Sequence, residues 1–129
     1  RLKRELSIPL LGSGDLHTAE DALNCLTETG IDGVMFARGA MSSPRVFADL
    51  AALCQNRAPA QVTPGGLKNL IRQHMDLARA WGGERTAVFK MRTFVPRYVK
   101  HLPGARAMRQ EMASCLDWPD LEQLLDRHL

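Results

Sequence analysis

The chain has 129 residues, a formal net charge of +3 and 45% apolar side chains. No stretch approaches the eighteen or so apolar residues that span a membrane, and no charged-then-apolar leader pattern opens it. Cys25, Cys54 and Cys115 are odd in number and widely spaced, which suggests neither a disulfide framework nor a metal site and fits buried free thiols in a reducing cytoplasm. The charge is uneven: residues 1–62 carry six basic and seven acidic side chains, net −1, whereas residues 63–129 carry eleven and seven, net +4.

Two short apolar runs near the start each end in a glycine-containing turn. Ile8-Pro9-Leu10-Leu11 leads into Gly12-Ser13-Gly14-Asp15, and Gly33-Val34-Met35-Phe36 leads into Ala37-Arg38-Gly39-Ala40. Continuous apolar runs of this length, alternating with helices, read as strands of a parallel sheet buried on both faces. Between them, Thr18 and Asp21 form a capping pair for a helix whose buried stripe is Ala22, Leu23 and Leu26, and Gly30 ends it in a left-handed cap. Ser43-Pro44 starts the next helix, with Val46, Phe47, Leu50 and Leu53 at helical spacing. Residues 55–63, polar with a central proline, read as an interdomain linker between a βαβα portion, 1–54, and a helical domain, 64–129. Thr63-Pro64 opens a long helix whose apolar members Leu67, Leu70, Ile71, Met75, Ala78 and Trp81 repeat at three and four, stopped by Gly82-Gly83. A second helix is expected from Arg85 to His101, with Val88, Phe89, Met91, Val95 and Val99 toward a core and Pro96 kinking or restarting it. Short helices at Ala105–Cys115 and Pro119–Leu129 complete the bundle. The fold class is therefore α/β followed by all-α: the last two βα units of a TIM barrel, then a small helical bundle.

Backbone N–H groups at a strand-to-helix turn carry partial positive charge, and glycine lets an anion approach them. Gly14, Gly39 and Arg38 accordingly point to a phosphate site, unless both are ordinary βα turns. Downstream, Arg85–Arg109 holds Arg85, Lys90, Arg92, Arg97, Lys100, Arg106 and Arg109 and no acid, a candidate footprint for a polyanion, unless these charges are merely solvated. His17, His74, His101 and His128 are scattered and lack convincing ligand spacing.

The string from Ile8 to Phe47 resembles the carboxyl end of the flavin barrel of bacterial tRNA-dihydrouridine synthases. That family has Asn-Gly-Asp, then Ser/Thr-x-Glu-Asp-Ala, then Asp-Gly-Val-Met-x-Gly-Arg-Gly-Ala; here Ser13 replaces the Asn and Ala37 the first Gly. Met91-Arg92, Tyr98 and Lys100 match a second family string, whose Lys, His, Trp and Gly are not kept. The resemblance implies an FMN phosphate on Ser13, Gly14, Asp15, Ala37 and Arg38, and tRNA held by the helical domain through Arg92, Arg97 and Lys100. It further implies flavin-dependent reduction of uridine to 5,6-dihydrouridine, with NADPH as reductant. The catalytic cysteine of the family belongs to earlier barrel segments and is not matched by Cys25, so no catalytic residue is assigned here. A complete barrel needs about 250 residues. A chain of 129 starting at Arg1 is thus expected to be the carboxyl-terminal piece of a longer enzyme, inactive alone, or a truncated relative that borrows strands from a partner. A non-catalytic RNA-binding or assembly module, and another FMN-dependent barrel oxidoreductase, are the alternatives.

Overall fold

The computed structural model describes residues 2–129, which divide into two compact units between Ala60 and Gln61. The first unit begins with a short helix, α1 (Leu2–Glu5), followed by β1 (Leu11–Gly12), α2 (Ala19–Thr29), β2 (Gly33–Val34), α3 (Arg38–Ser42) and α4 (Val46–Cys54). The strands pair in parallel, Leu11 opposite Gly33 and Gly12 opposite Val34. The ladder continues one bond beyond each end, with Asp32 N–H donating to Leu10 O at 2.9 Å and Met35 N–H to Gly12 O at 2.8 Å.

These strands are shorter than their apolar runs and are not buried on both faces: Ile8, Leu11 and Met35 are 63%, 68% and 58% exposed. Each strand has a single neighbour, so one edge and one apolar face remain bare. The core of the unit lies on the helical side, where Leu16, Ala19, Ala22, Phe36 and Val46 are buried and Cys25, Val34, Ala40, Leu50 and Leu53 pack on them. Phe47, expected inside, is largely exposed and meets Phe36 edge to face at 5.3 Å.

Local signals set the helix ends. Thr18 Oγ1 accepts from Asp21 N–H at 3.1 Å while the Asp21 carboxylate accepts from Thr18 N–H at 2.9 Å and His17 N–H at 3.0 Å. This capping box holds the Asp21 carboxyl below the ordinary carboxylate range, through the Thr18 N–H first and the His17 N–H second. Gly30 closes α2 at φ 66°. The five-residue α3, directly after β2, was not foreseen from periodicity, since one turn is too short to show any.

The second unit contains α5 (Pro64–Gly82), α6 (Glu84–Tyr98), α7 (Ala105–Ser114) and α8 (Trp118–His128). Helices α5 and α6 form a hairpin around Gly83, whose φ of 74° suits glycine. Thr63 caps α5 by accepting from Gly66 N–H at 3.1 Å, with Pro64 in the first turn. Asp117 caps α8 in the same way, accepting from Asp120 N–H at 2.9 Å. One continuous core joins the four helices: Ile71, Met75, Met91, Val95, Met112, Leu121, Leu124 and Leu125 are all essentially sealed from solvent. Pro96 neither breaks nor restarts α6, because the helix runs through it and ends two residues later. Trp81 and Phe89, expected in the core, lie 89% and 55% exposed. Of the cysteines, Cys115 is buried, Cys25 half-buried and Cys54 exposed at the end of α4, so buried thiols are found at one position of three.

Candidate functional site

Because the two strands are parallel and in register, the turns that follow them emerge at one edge of the first unit. Gly14 at φ 135° and Asp15 at φ 47° turn the chain sharply after β1. The first conformation is one that side chains with a Cβ rarely adopt, and the second is one aspartate tolerates. Asp15 Oδ1 and Arg38 Nη2 form an ion pair that links the two turns, and both side chains are largely solvent-facing. His17 Nε2 stands 3.9 Å from the same carboxylate oxygen. Ala37 precedes α3 without a side-chain acceptor for its first N–H groups. A Cβ on Gly39 would fall 2.5 Å from Leu16 O and 3.0 Å from His17 O, so the glycine lets the two turns pack together.

Ser13, Gly14, Asp15, Ala37 and Arg38 therefore sit on adjacent turns. They offer uncapped backbone donors, a glycine with open space around it and an accessible guanidinium. These fit a phosphate group. The Asp15 carboxylate imposes a condition, since a bound dianion must share or displace it at Arg38.

The helical unit places its basic side chains unequally. Arg92 is half-buried; its Nη2 donates to Ala113 O in the last turn of α7, and its guanidinium lies 5.6 Å from the Phe89 ring centre. It thus answers a free carbonyl at a helix carboxyl end, where a cation is also favoured by the dipole. Arg97 is half-buried and Lys100 exposed. Tyr98, beside these cations in sequence, is buried, its hydroxyl 2.9 Å from His74 Nδ1. Burial pushes the tyrosine pKa up, opposed by Arg97, and burial beside Phe94 and Tyr98 holds His74 below the ordinary 6.5.

Other cations of this unit are already paired. Lys68 and Arg72 both reach Asp126 at 2.7 Å, and Arg127 reaches Glu111 at 3.0 Å, where His128 Nε2 also lies at 3.0 Å. Lys68 chiefly holds the Asp126 carboxyl below its ordinary range, and Arg127 then His128 do the same for Glu111. Arg85, Lys90 and Lys100, by contrast, project from exposed positions on α6 and the turn after it. None of the tertiary pairs had a sequence signal: Arg38–Asp15, Tyr98–His74 and Arg92–Ala113 join positions 23, 24 and 21 residues apart.

Among the described residues no helix is long and apolar enough to cross a membrane. The family model for dihydrouridine synthase matches residues 1–129. A probable tRNA-dihydrouridine synthase of Mycobacterium tuberculosis (strain CDC 1551 / Oshkosh) is 37% identical over 129 residues, covering 98% of this chain and 33% of the relative. A probable tRNA-dihydrouridine synthase of Mycobacterium leprae is 35% identical, covering 98% and 34%. The tRNA-dihydrouridine synthase B of Pseudomonas aeruginosa is 28% identical over 112 residues, covering 85% and 33%. The chain thus spans about a third of the length of these relatives. With the family model matched from end to end and the identities sustained across both units, the chain belongs to the dihydrouridine synthase family.

Proposed function

We propose that this chain is the carboxyl-terminal part of a tRNA-dihydrouridine synthase, contributing the end of a flavin-binding TIM barrel (residues 1–54), a linker (55–63) and a helical tRNA-contacting domain (64–129). The observation that carries this reading is the Arg38–Asp15 pair across the ends of two parallel strands, in a chain matched throughout by the dihydrouridine synthase family. Ser13, Gly14, Asp15, Ala37 and Arg38 would hold the FMN phosphate by backbone N–H groups and one guanidinium. When bound, FMN supplies the redox chemistry that saturates the uridine C5–C6 double bond, with NADPH as the source of reducing equivalents. This chain's own residues bind and orient: Arg38 neutralises phosphate charge, Gly14 keeps the approach open, and the helical unit positions tRNA. The remaining barrel segments come from the same parent chain or from a swapped partner. They would cover the bare side of β1 and β2, where Ile8, Leu11 and Met35 are exposed.

On the helical unit, Lys100 and Arg97 would meet phosphates directly, and Arg92 would do so with the guanidinium N–H groups that Ala113 O does not use. Such contacts position RNA without reading its sequence. A soluble cytoplasmic enzyme is the corresponding setting.

The test is flavin content and tRNA affinity of the purified full-length protein and its Arg38→Ala and Lys100→Ala variants. The reading expects flavin to be lost in the first variant alone and tRNA binding to weaken in the second alone. A flavin-free parent would overturn it. It would favour the second reading, a non-catalytic RNA-binding module, which the Ser13 and Ala37 replacements and the carboxylate of Asp15 already on Arg38 support.

A further inference from the structure

Trp81 stands at the carboxyl end of α5 with 89% of its surface in solvent, in a unit whose other tryptophan, Trp118, is buried beneath the Arg79 guanidinium at 4.7 Å. Leaving an indole in water forgoes more apolar burial than leaving out almost any other side chain, and the hydrophobic pattern of α5 would allow a polar residue at its last turn. Lys90 reaches back from α6 toward this point, its Nζ 4.0 Å from where a Cβ on Gly82 would stand, adjacent to Trp81. Glu84 is the nearest acid in sequence, after which the chain carries seven cations, Arg85, Lys90, Arg92, Arg97, Lys100, Arg106 and Arg109, before Glu111 appears. An exposed indole followed directly by a glycine that an ammonium approaches, on the most basic segment of the chain, matches a polyanion that also presents flat rings. Unpaired nucleotides have both features, with the base available for stacking and the phosphate for the cation, whereas bases inside a duplex are already stacked.

We propose that Trp81 is a stacking platform for an unpaired base of the RNA substrate, with Lys90 on the adjoining phosphate. This rests on the reading of the helical unit as RNA-contacting and adds to it a residue outside the Arg92, Arg97 and Lys100 set, at the opposite end of α6 from Lys100.

The test compares wild type, Trp81→Ala, Trp81→Phe and Lys90→Gln in binding an oligouridine single strand and an RNA duplex of equal length. Protection of tryptophan fluorescence from acrylamide is recorded alongside. Trp81→Ala should weaken single-strand binding by about five- to a hundredfold, the range for one stacked base, and leave duplex binding within about twofold. Trp81→Phe should recover part of the loss, and Lys90→Gln should lower the salt dependence with both ligands. Oligouridine should shield the fluorescence of wild type but not of Trp81→Phe. Circular dichroism of all variants should match wild type, because the replaced side chains are exposed. If wild type binds both RNAs and Trp81→Ala loses nothing, or loses equally on duplex, the stacking role is overturned while RNA contact stands. If wild type binds neither RNA, both fall together.

Discussion

Replacing Arg92 by Ala separates two roles that the sequence alone assigns to one. The change removes a charged donor from Ala113 O, a cation from the carboxyl end of α7 and a guanidinium from the face of Phe89. A hydrogen bond from a charged group contributes about 1.5–3 kcal/mol when buried; for a half-exposed arginine about 1 kcal/mol is the appropriate share. The helix-end charge and the cation–π contact each add about 0.5 kcal/mol at partly exposed sites. The total, about 1–2 kcal/mol, corresponds to a loss of roughly 5–15 °C in the melting midpoint of a unit this small. Lys100→Ala removes an exposed side chain and should leave the midpoint within about 1 °C. It should still lower the slope of log affinity for tRNA against log salt by about 0.7–0.9, the release of one counterion. Thermal melts followed at 222 nm and salt titrations of tRNA binding measure both quantities. An Arg92→Ala variant that melts with wild type and shows only the reduced salt slope would refute the capping role and return Arg92 to the set of plain phosphate contacts.

Arg38→Ala in the full-length protein should weaken flavin binding by about 30- to 150-fold, the cost of about 2–3 kcal/mol for a lost charge-assisted pair. Asp15→Asn should have the opposite sign, since it frees the guanidinium; equal losses in both would mean that the pair is structural. Leu121→Ala, in the sealed core of the helical unit, should cost about 2–5 kcal/mol and unfold that unit near ambient temperature in urea titrations. Glu111 and Asp126 have folded pKa values below their ordinary 4.5 and 3.8, so the stability they lend is present above those values and is lost as pH falls below them. His74 is also depressed, from 6.5; its contribution is complete above that pH and declines as pH falls further, a decline that melts at stepped pH should find missing in His74→Gln. With a chromogenic disulfide, Cys54 should react at once and Cys115 only on unfolding, as its burial also raises its thiol pKa.

What the sequence made legible was what neighbouring residues decide. Thr18 with Asp21, Gly30, and Thr63 with Pro64 end their helices where expected, because each cap is completed within four residues. Periodicity placed Ile71, Met75, Met91 and Val95 inside but could not exclude Trp81 or Phe89, which keep helical spacing while lying beyond the reach of the facing helices. The strand runs were visible as apolar tetrapeptides, yet ladder length depends on how many neighbours pair with them, and here each has one. In the two turns proposed to hold a phosphate, Gly14 and Arg38 were singled out by glycine chemistry and charge. The Asp15 carboxylate on Arg38 and the use of Gly39 for turn-to-turn packing depend on contacts across more than twenty residues, and no local signal announces them.

The central claim is that the protein carrying this chain makes dihydrouridine in tRNA. The most direct test is mass spectrometry of tRNA from cells in which its gene is deleted, then restored as wild type or as Arg38→Ala. The account predicts that dihydrouridine disappears from at least one tRNA position on deletion, returns with wild type and fails to return with Arg38→Ala. Full dihydrouridine at every position in the deletion strain, with no other enzyme of the family present, would contradict it.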